Sequence, residues 1–300
     1  MMIKAAFYYR ILLVKGMSMK IGSYEIIEIE TGRFSLDGGA MFGIVPKNLW
    51  SQLHPSDEEN RIVLAMRSLL LKSSDRLIII ETGAGTKFNE KLLKIYDIDY
   101  SSYSLAKSFD NLGLSYNDVT DVILTHLHFD HAGGSTYWDS DKLKLTFPHA
   151  QHYIQSDHWQ WAHGDSEKEL GSFFEDDFEP IEKMGKLTIL DGGCEVAPGI
   201  DILPFYGHTQ AMQLIKVSDN KTTLFYCSDL IPTAAHIALL WNMAYDNNPL
   251  ITIEEKKRIL KQALNEKWIF YYCHDPFRAA STVKLTSKGY ALDQEIHFNS

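Results

Sequence analysis

The stretch THLHFDHAGG, Thr125 to Gly134, decides how the rest of the chain is read. It places three of the chain's 12 histidines, with one aspartate, between His126 and His131. The preceding DVILT, Asp121 to Thr125, reads as a short buried strand that ends in this loop. Residues two apart on extended chain point the same way, so His126 and His128 can share one cation. Asp130 and His131 continue toward a neighbouring position, and Gly133 and Gly134 let the backbone turn tightly. The pattern suits two metal sites side by side with nitrogen and oxygen ligands. Imidazole and carboxylate favour zinc, with iron, manganese and cobalt as alternatives. A coincidental polar loop is the bland alternative. Four ligand-type residues at this spacing, directly after an apolar strand, argue against it.

A pair of cations needs further ligands. His208 follows DILPFY in YGHTQ, Asp229 follows TTLFY in CSD, and His274 follows KWIFYY in CHD. Each sits just past a strand-like run, so each can be delivered to a common sheet edge. Any one alone would be an ordinary polar loop residue; together they complete a site.

The chain has 300 residues, 45% of them hydrophobic and 23% charged, which allows one large domain or two small ones. Its net charge of −10 argues against a nucleic-acid backbone or an anionic membrane as partner. Three cysteines, Cys194, Cys227 and Cys273, make a poor disulfide framework and point to the reducing cytoplasm. No apolar run reaches the roughly 18 residues of a membrane span. Residues 1–20 read as an N-terminal extension; Arg10 interrupts its apolar part, so no signal peptide is expected. The folded domain is expected over 21–300.

Within it, the patterning predicts strands at 21–30, 61–72, 76–81, 121–125, 143–147 and 152–155. Further strands are predicted at 187–190, 200–204, 213–217, 222–227 and 268–273. Helices are predicted at 87–95, 104–112, 157–162, 167–182 and 253–265. The glycine-rich, aromatic stretch 37–50 reads as a long loop. Two successive blocks of strands with helices predict one α+β domain whose sheets pack together between outer helices. His149, His152, His158 and His163 read as surface or pocket-rim histidines. Cys227 and Cys273 read as buried structural residues pointing away from the ligands beside them. The acidic run FFEDDFE reads as a solvated helix face.

HLHFDH, followed in order by GHT, SD and CHD and preceded by IIIETG, resembles the motifs of the metallo-β-lactamase-fold hydrolases. The resemblance runs from Ile21 to the C-terminus. It implies a four-layer αβ/βα sandwich, two mixed sheets between outer helices, with the metals at one edge between the sheets. It implies that His126, His128 and His208 hold one metal, that Asp130, His131 and His274 hold the other, and that Asp229 bridges them. A hydroxide between two cations, most simply Zn²⁺, then attacks the substrate, with Asp130 orienting it as the catalytic carboxylate. Glu81 stands where the family more often has aspartate.

Within the superfamily, the absence of a flavin domain and the presence of His128 separate the chain from the diiron flavoproteins. GGAMFGIVPKNLW and SDLIPTAAHIALLWNMAYD resemble segments of the acyl-homoserine lactonases and of the related organophosphate hydrolases of the methyl parathion hydrolase type. This branch implies a small neutral ester or lactone as substrate and a homodimer. It implies an apolar wall from Phe42, Ile44, Trp50, Ile237, Trp241 and Met243, with His236 beside the substrate. Many of the lactonases carry a tyrosine three residues after the bridging aspartate; here that position is Pro232, and Tyr206 or Tyr245 could replace it. The expected activity is hydrolysis of an N-acyl-homoserine lactone. The alternatives are a phosphotriesterase or arylesterase with the same metals, and a metal-bearing binding protein without turnover.

Overall fold

The computed structural model describes residues 19–164 and 166–298. In chain order the strands are β1 (Met19–Ile21), β2 (Tyr24–Asp37), β3 (Arg61–Lys72), β4 (Leu77–Ile80), β5 (Asp121–Ile123), β6 (Thr136–Asp139), β7 (Lys142–Leu145), β8 (Gln151–Gln155) and β9 (Leu187–Leu190). They continue with β10 (Cys194–Ala197), β11 (Ile200–Phe205), β12 (Met212–Ser218), β13 (Thr223–Tyr226), β14 (Ile269–Tyr271), β15 (Ala280–Thr286) and β16 (Gly289–Ile296). One seven-stranded sheet runs β1-β2-β3-β4-β5-β8-β9, and a second runs β10 to β16 in sequence order. Both are mixed. The first is antiparallel up to β4 and parallel from there on; in the second only β13 and β14 are parallel. Strands β6 and β7 form a separate hairpin.

The period-2 alternation of the strands builds the layers. Leu69, Leu71, Ile78, Ile80 and Ile123 of the first sheet meet Ile202, Ile215, Val217, Leu224 and Tyr226 of the second in one inter-sheet core. Their neighbours Leu70, Ile79 and Val122 point the other way, against Phe109, Ala162, Phe178 and Ile181 of the helices Leu105–Leu112, Ser156–Ala162 and Glu175–Lys183. On the far face of the second sheet, Leu214, Phe225 and Phe270 pack against Ile259, Leu260 and Ala263 of the helix Pro249–Glu266. The result is helices, sheet, sheet, helices: the expected α+β sandwich.

Several local expectations need correction. The stretch 37–50 is not an irregular loop. Asp37 caps the short helix Gly38–Phe42 by accepting from Ala40 N at 2.8 Å, and a second helix, Lys47–Trp50, follows. Burial of Met41, Phe42 and Trp50 drives both. The predicted helix 167–182 survives only as Glu175–Lys183, because 166–173 is drawn over the histidine loop, with Phe129 N donating to Ser172 O at 2.9 Å. The acidic run FFEDDFE is not wholly solvated: Asp177 is buried and paired with Lys87 Nζ at 2.9 Å. Strands β6, β10, β15 and β16 fall outside the predicted strands; their exposed faces dilute the apolar signal. His152 and His158 are fully buried, whereas His149 and His163 are exposed.

Most of the proposed N-terminal extension lies outside the described residues. Met19 and Lys20 already belong to β1. Among the described residues no helix is long and apolar enough to cross a membrane.

Candidate metal centre

The histidine loop is held from behind by the loop after β4. Thr82 N donates to His131 O at 2.8 Å and Gly134 N donates to Gly83 O at 2.7 Å. The contact is so close that a Cβ on Gly134 would lie 2.1 Å from Thr82 O, so only glycine fits there. His126 and His128 leave β5 on one side, and the one-turn helix Phe129–Ala132 swings Asp130 and His131 to the other. His208 follows β11, Asp229 follows β13 and His274 follows β14, all at the same edge between the two sheets.

Two groups of ligand atoms result. In the first, His126 Nε2 and His208 Nε2 lie 3.1 and 3.4 Å from His128 Nδ1, and His208 Nε2 lies 3.2 Å from Asp229 Oδ2. In the second, His274 Nε2 lies 3.2 Å from His131 Nε2 and 3.4 Å from Asp130 Oδ2, and 3.1 Å from Asp229 Oδ1. Asp229 therefore turns one carboxylate oxygen to each group. Within each group the donor atoms all fall within 4.8 Å of one another.

The far side of every imidazole is tied down. His126 Nδ1 meets Thr125 Oγ1 at 2.9 Å, and His274 Nδ1 donates to Ala65 O at 2.8 Å. The other three meet carboxylates: His131 Nδ1 on Glu81 Oε2 (2.5 Å), His128 Nε2 on Glu169 Oε1 (2.9 Å) and His208 Nδ1 on Asp246 Oδ1 (3.1 Å). Such outer bonds set the tautomer and aim the inner nitrogen's lone pair into the site. Glu81 thus does reach the centre, although it replaces the usual aspartate.

The electrostatics agree. Burial lowers the pKa of His126 well below the ordinary imidazole value, and the neighbouring imidazoles add to the effect. Burial also pulls on His131, but Glu81, Asp130 and Asp229 outweigh it and raise its pKa well above that value. Burial would raise Asp229; instead His131, His274 and His208 hold it well below the usual carboxylate range. The negative field that raises His131 is one a cation can occupy in place of the proton, and imidazoles with ionised carboxylates converging on two points there fit divalent cations such as zinc.

Beside the centre lies a cavity of about 110 Å³, bounded by Leu36, Met41, Phe129, Met243, Tyr96 and Tyr245, with Lys168 and Ser172 at its side. Of the seven residues expected beside the substrate, only Met243 lines it. Phe42, Trp50 and Ile237 are packed in the core, Phe42 stacking on Trp50 at 5.5 Å and on His236 at 4.7 Å. Trp241 meets Phe42 edge-on from outside. His236 is spent on Met41 O and Thr233 Oγ1. Ile44 is 94% exposed. All but Ile44 satisfy an apolar or polar need of the local packing, which leaves them no face toward the cavity, and Ile44 faces solvent.

His158, expected at the surface, is a buried strut. Its Nε2 accepts from Leu127 N at 2.8 Å and its Nδ1 donates to Gln210 O at 2.6 Å, joining the loops of His126 and His208. Cys273 does not point away from Asp229 but lies 3.5 Å from its Oδ1. Pro232 accepts from His274 N at 3.0 Å through its carbonyl. Tyr245 lines the cavity and Tyr206 does not. Glu169, Asp246 and Lys168 are not among the residues the sequence singles out, because their bonds run to partners far along the chain. A larger cleft of about 760 Å³, lined by Thr82, Gly134, Tyr116 and Tyr137 among others, lies behind the histidine loop and holds none of the ligand residues.

The metallo-beta-lactamase superfamily model matches residues 66–274, a span that takes in all seven ligand-type residues. The chain belongs to the metallo-β-lactamase superfamily. This superfamily member is similar to a probable metal-dependent hydrolase of Staphylococcus aureus, with 30% identity and a TM-score of 0.82 over 93% of this chain and 100% of that one. It is 26% identical over 187 residues to a probable metallo-hydrolase of Mycobacterium tuberculosis, covering 56% of this chain and 57% of the relative. The match thus spans little more than half the length of that curated relative. The fold is also that of AidC, a dizinc quorum-quenching lactonase solved with a product, N-hexanoyl-L-homoserine: TM-score 0.74, 22% identity, 94% of this chain and 98% of that one.

Proposed function

We propose that this superfamily member is a dinuclear metal-dependent hydrolase of neutral esters, with N-acyl-homoserine lactones as the substrate class. The observation that carries the reading is Asp229, whose two oxygens face two separate groups of buried ligands at one end of a cavity. His126, His128 and His208 would hold one cation, and Asp130, His131 and His274 the other. Two divalent cations so placed supply Lewis acidity toward a carbonyl oxygen and water activated for attack at neutral pH. Asp130, on the cavity wall with its Oδ2 3.4 Å from His274 Nε2, accepts the proton released by the attacking water. Burial pushes the Tyr245 hydroxyl up to about 12, so it keeps its proton and can donate to the substrate carbonyl. It takes the part that Pro232 cannot. Leu36, Met41, Phe129 and Met243 give the apolar contact that an uncharged ring requires. A cavity of this size admits the reacting head of the substrate, leaving an acyl chain to run outward.

The test is the initial rate on N-hexanoyl-homoserine lactone, followed by a pH indicator with zinc-loaded protein and an Asp130→Asn control. The expected kcat/KM is about 10⁴ M⁻¹s⁻¹ or higher, lost in the control. Background rates on lactones with turnover of an aryl ester or a phosphotriester would overturn the lactone assignment. Bound zinc without hydrolysis of any of these would overturn the enzyme.

A further inference from the structure

Glu169 is not one of the seven ligands, yet of the three carboxylates behind them it is held by the most side-chain donors. It lies in the irregular segment 166–173, which crosses the cavity, yet only 3% of it is exposed. Its Oε1 meets His128 Nε2 at 2.9 Å. Its Oε2 accepts from Trp161 Nε1 at 2.5 Å, Asn247 Nδ2 at 2.8 Å and Ser166 Oγ at 3.2 Å. Four donors on one buried carboxylate hold it in a single orientation. Asn247 in turn follows Asp246, whose Oδ1 meets His208 Nδ1 at 3.1 Å. Lys168 Nζ donates to the carbonyls of Tyr245 and Asp246, tying the two segments together.

The two cation positions differ in how they are charged. Around His131 and His274 one carboxylate, that of Asp130, stands among the ligand atoms themselves. Around His126, His128 and His208 the ligands are imidazoles, and apart from the shared Asp229 the negative charge stands one bond further out, on Glu169 and Asp246. An imidazole whose outer N–H donates to a carboxylate is a more basic ligand and is locked in one tautomer.

We propose that Glu169 is a positioning residue: through His128 Nε2 it fixes the ring with Nδ1 facing His126 and His208, and so sets the affinity of that one cation position. The inference rests on the two-cation reading above. Asn247 carries the same constraint toward Asp246 and His208, so the segment 166–173 and the wall residue Tyr245 are tied to the same position.

The experiment is zinc binding to the full chain by chelator competition, repeated with cobalt and read by its ligand-field absorption. Wild-type protein, Glu169→Gln, Glu169→Ala and Asn247→Ala are compared, with urea unfolding of each metal-free form. Wild-type protein should bind two equivalents. Glu169→Gln should weaken one equivalent by about 10–100-fold and leave the other unchanged. Its metal-free stability should fall, because an amide oxygen that accepts from His128 turns the amide NH₂ onto Trp161 Nε1 and Asn247 Nδ2, so the proposal is read from the difference between the two zinc equivalents and not from the stability itself. Asn247→Ala, which leaves the His128–Glu169 bond in place, should weaken the same equivalent by less. Two unchanged equivalents in Glu169→Gln, or equal weakening of both, would overturn the proposal and leave the hydrolase reading standing. A wild-type chain that binds no zinc would overturn both.

Discussion

Glu81→Ala offers a direct measure of how the centre is held before any cation binds. The Glu81 carboxylate is buried and spans two loops: Oε1 accepts from Thr125 N at 2.6 Å and Oε2 accepts from His131 Nδ1 at 2.5 Å. Truncation leaves the Thr125 N–H without a partner, which costs about 1–3 kcal/mol. It also removes a charged acceptor from His131, a bond worth about 1.5–3 kcal/mol. Because the two bonds share one carboxylate, their sum is an upper bound, and a loss of about 3–5 kcal/mol is expected. Residue 81 has φ +68°, but alanine is no worse than glutamate there, so backbone strain does not enter the difference. The assay is urea unfolding of chelator-treated protein, which removes the linkage to bound cations. Zinc competition on the same variant should show affinity weakened about 10–100-fold. Glu81→Asp should fall between, because the shorter side chain cannot reach both donors. A stability loss under about 1 kcal/mol would refute the reasoning, for it would mean that water satisfies Thr125 and His131 as well as Glu81 does.

His152 gives a prediction in pH. Burial pushes its pKa down to about 4, against slight opposition from the Ala150 and Lys186 backbone, and among the described residues neither ring nitrogen has a close hydrogen-bond partner. A histidine depressed on folding contributes stability that is complete above its unfolded pKa near 6.5 and is lost as pH falls from there toward 4. His152→Leu should therefore leave stability near wild type at pH 7.5 and remove about 3 kcal/mol of the loss seen between pH 6.5 and 4; urea midpoints at several pH values check this, and parallel curves for the two proteins would contradict it. Phe42→Ala should cost about 3–5 kcal/mol of stability, since the ring is fully buried against Trp50 and His236, with no change in zinc stoichiometry. A raised KM at undiminished stability would return Phe42 to the substrate wall.

What the chain discloses in advance depends on how local the signal is. His126, His128, Asp130 and His131 are legible because their spacing, after an apolar run, is itself the geometry of the site. Strand β3 reads cleanly at Arg61–Lys72 because its apolar run ends in charged residues and a turn. The substrate wall is not legible in this way. Phe42, Trp50 and Met243 are all large and apolar, and that property predicts burial without saying whether the burial is against the core or against a void. His158 looks like one polar residue among several until its partners, Leu127 and Gln210, are seen 31 and 52 positions away. Glu169 falls inside the predicted helix 167–182, and nothing in its neighbours reveals a bond to His128, 41 positions earlier. Residues whose role is set by a long-range partner carry no mark of it in the local pattern.

The spread of the ligands along the chain also bears on how the protein is made. His274 and the carbonyl that orients it, Ala65, are 209 positions apart, and β3 donates backbone bonds from Ala65 and Arg67 to the carbonyls of His274 and Cys273. A nascent chain emerging from the ribosome presents His126 to His131 first, and Asp229 and His274 join them only after β13 and β14 have been made. The shared carboxylate and the last imidazole then arrive with the docking of the second sheet, by slow, long-range contacts. On the two-cation reading proposed above, the complete pair can be loaded only after β14 has joined the second sheet. On the same reading, a chain that stalls before β14 has no complete pair of sites to fill.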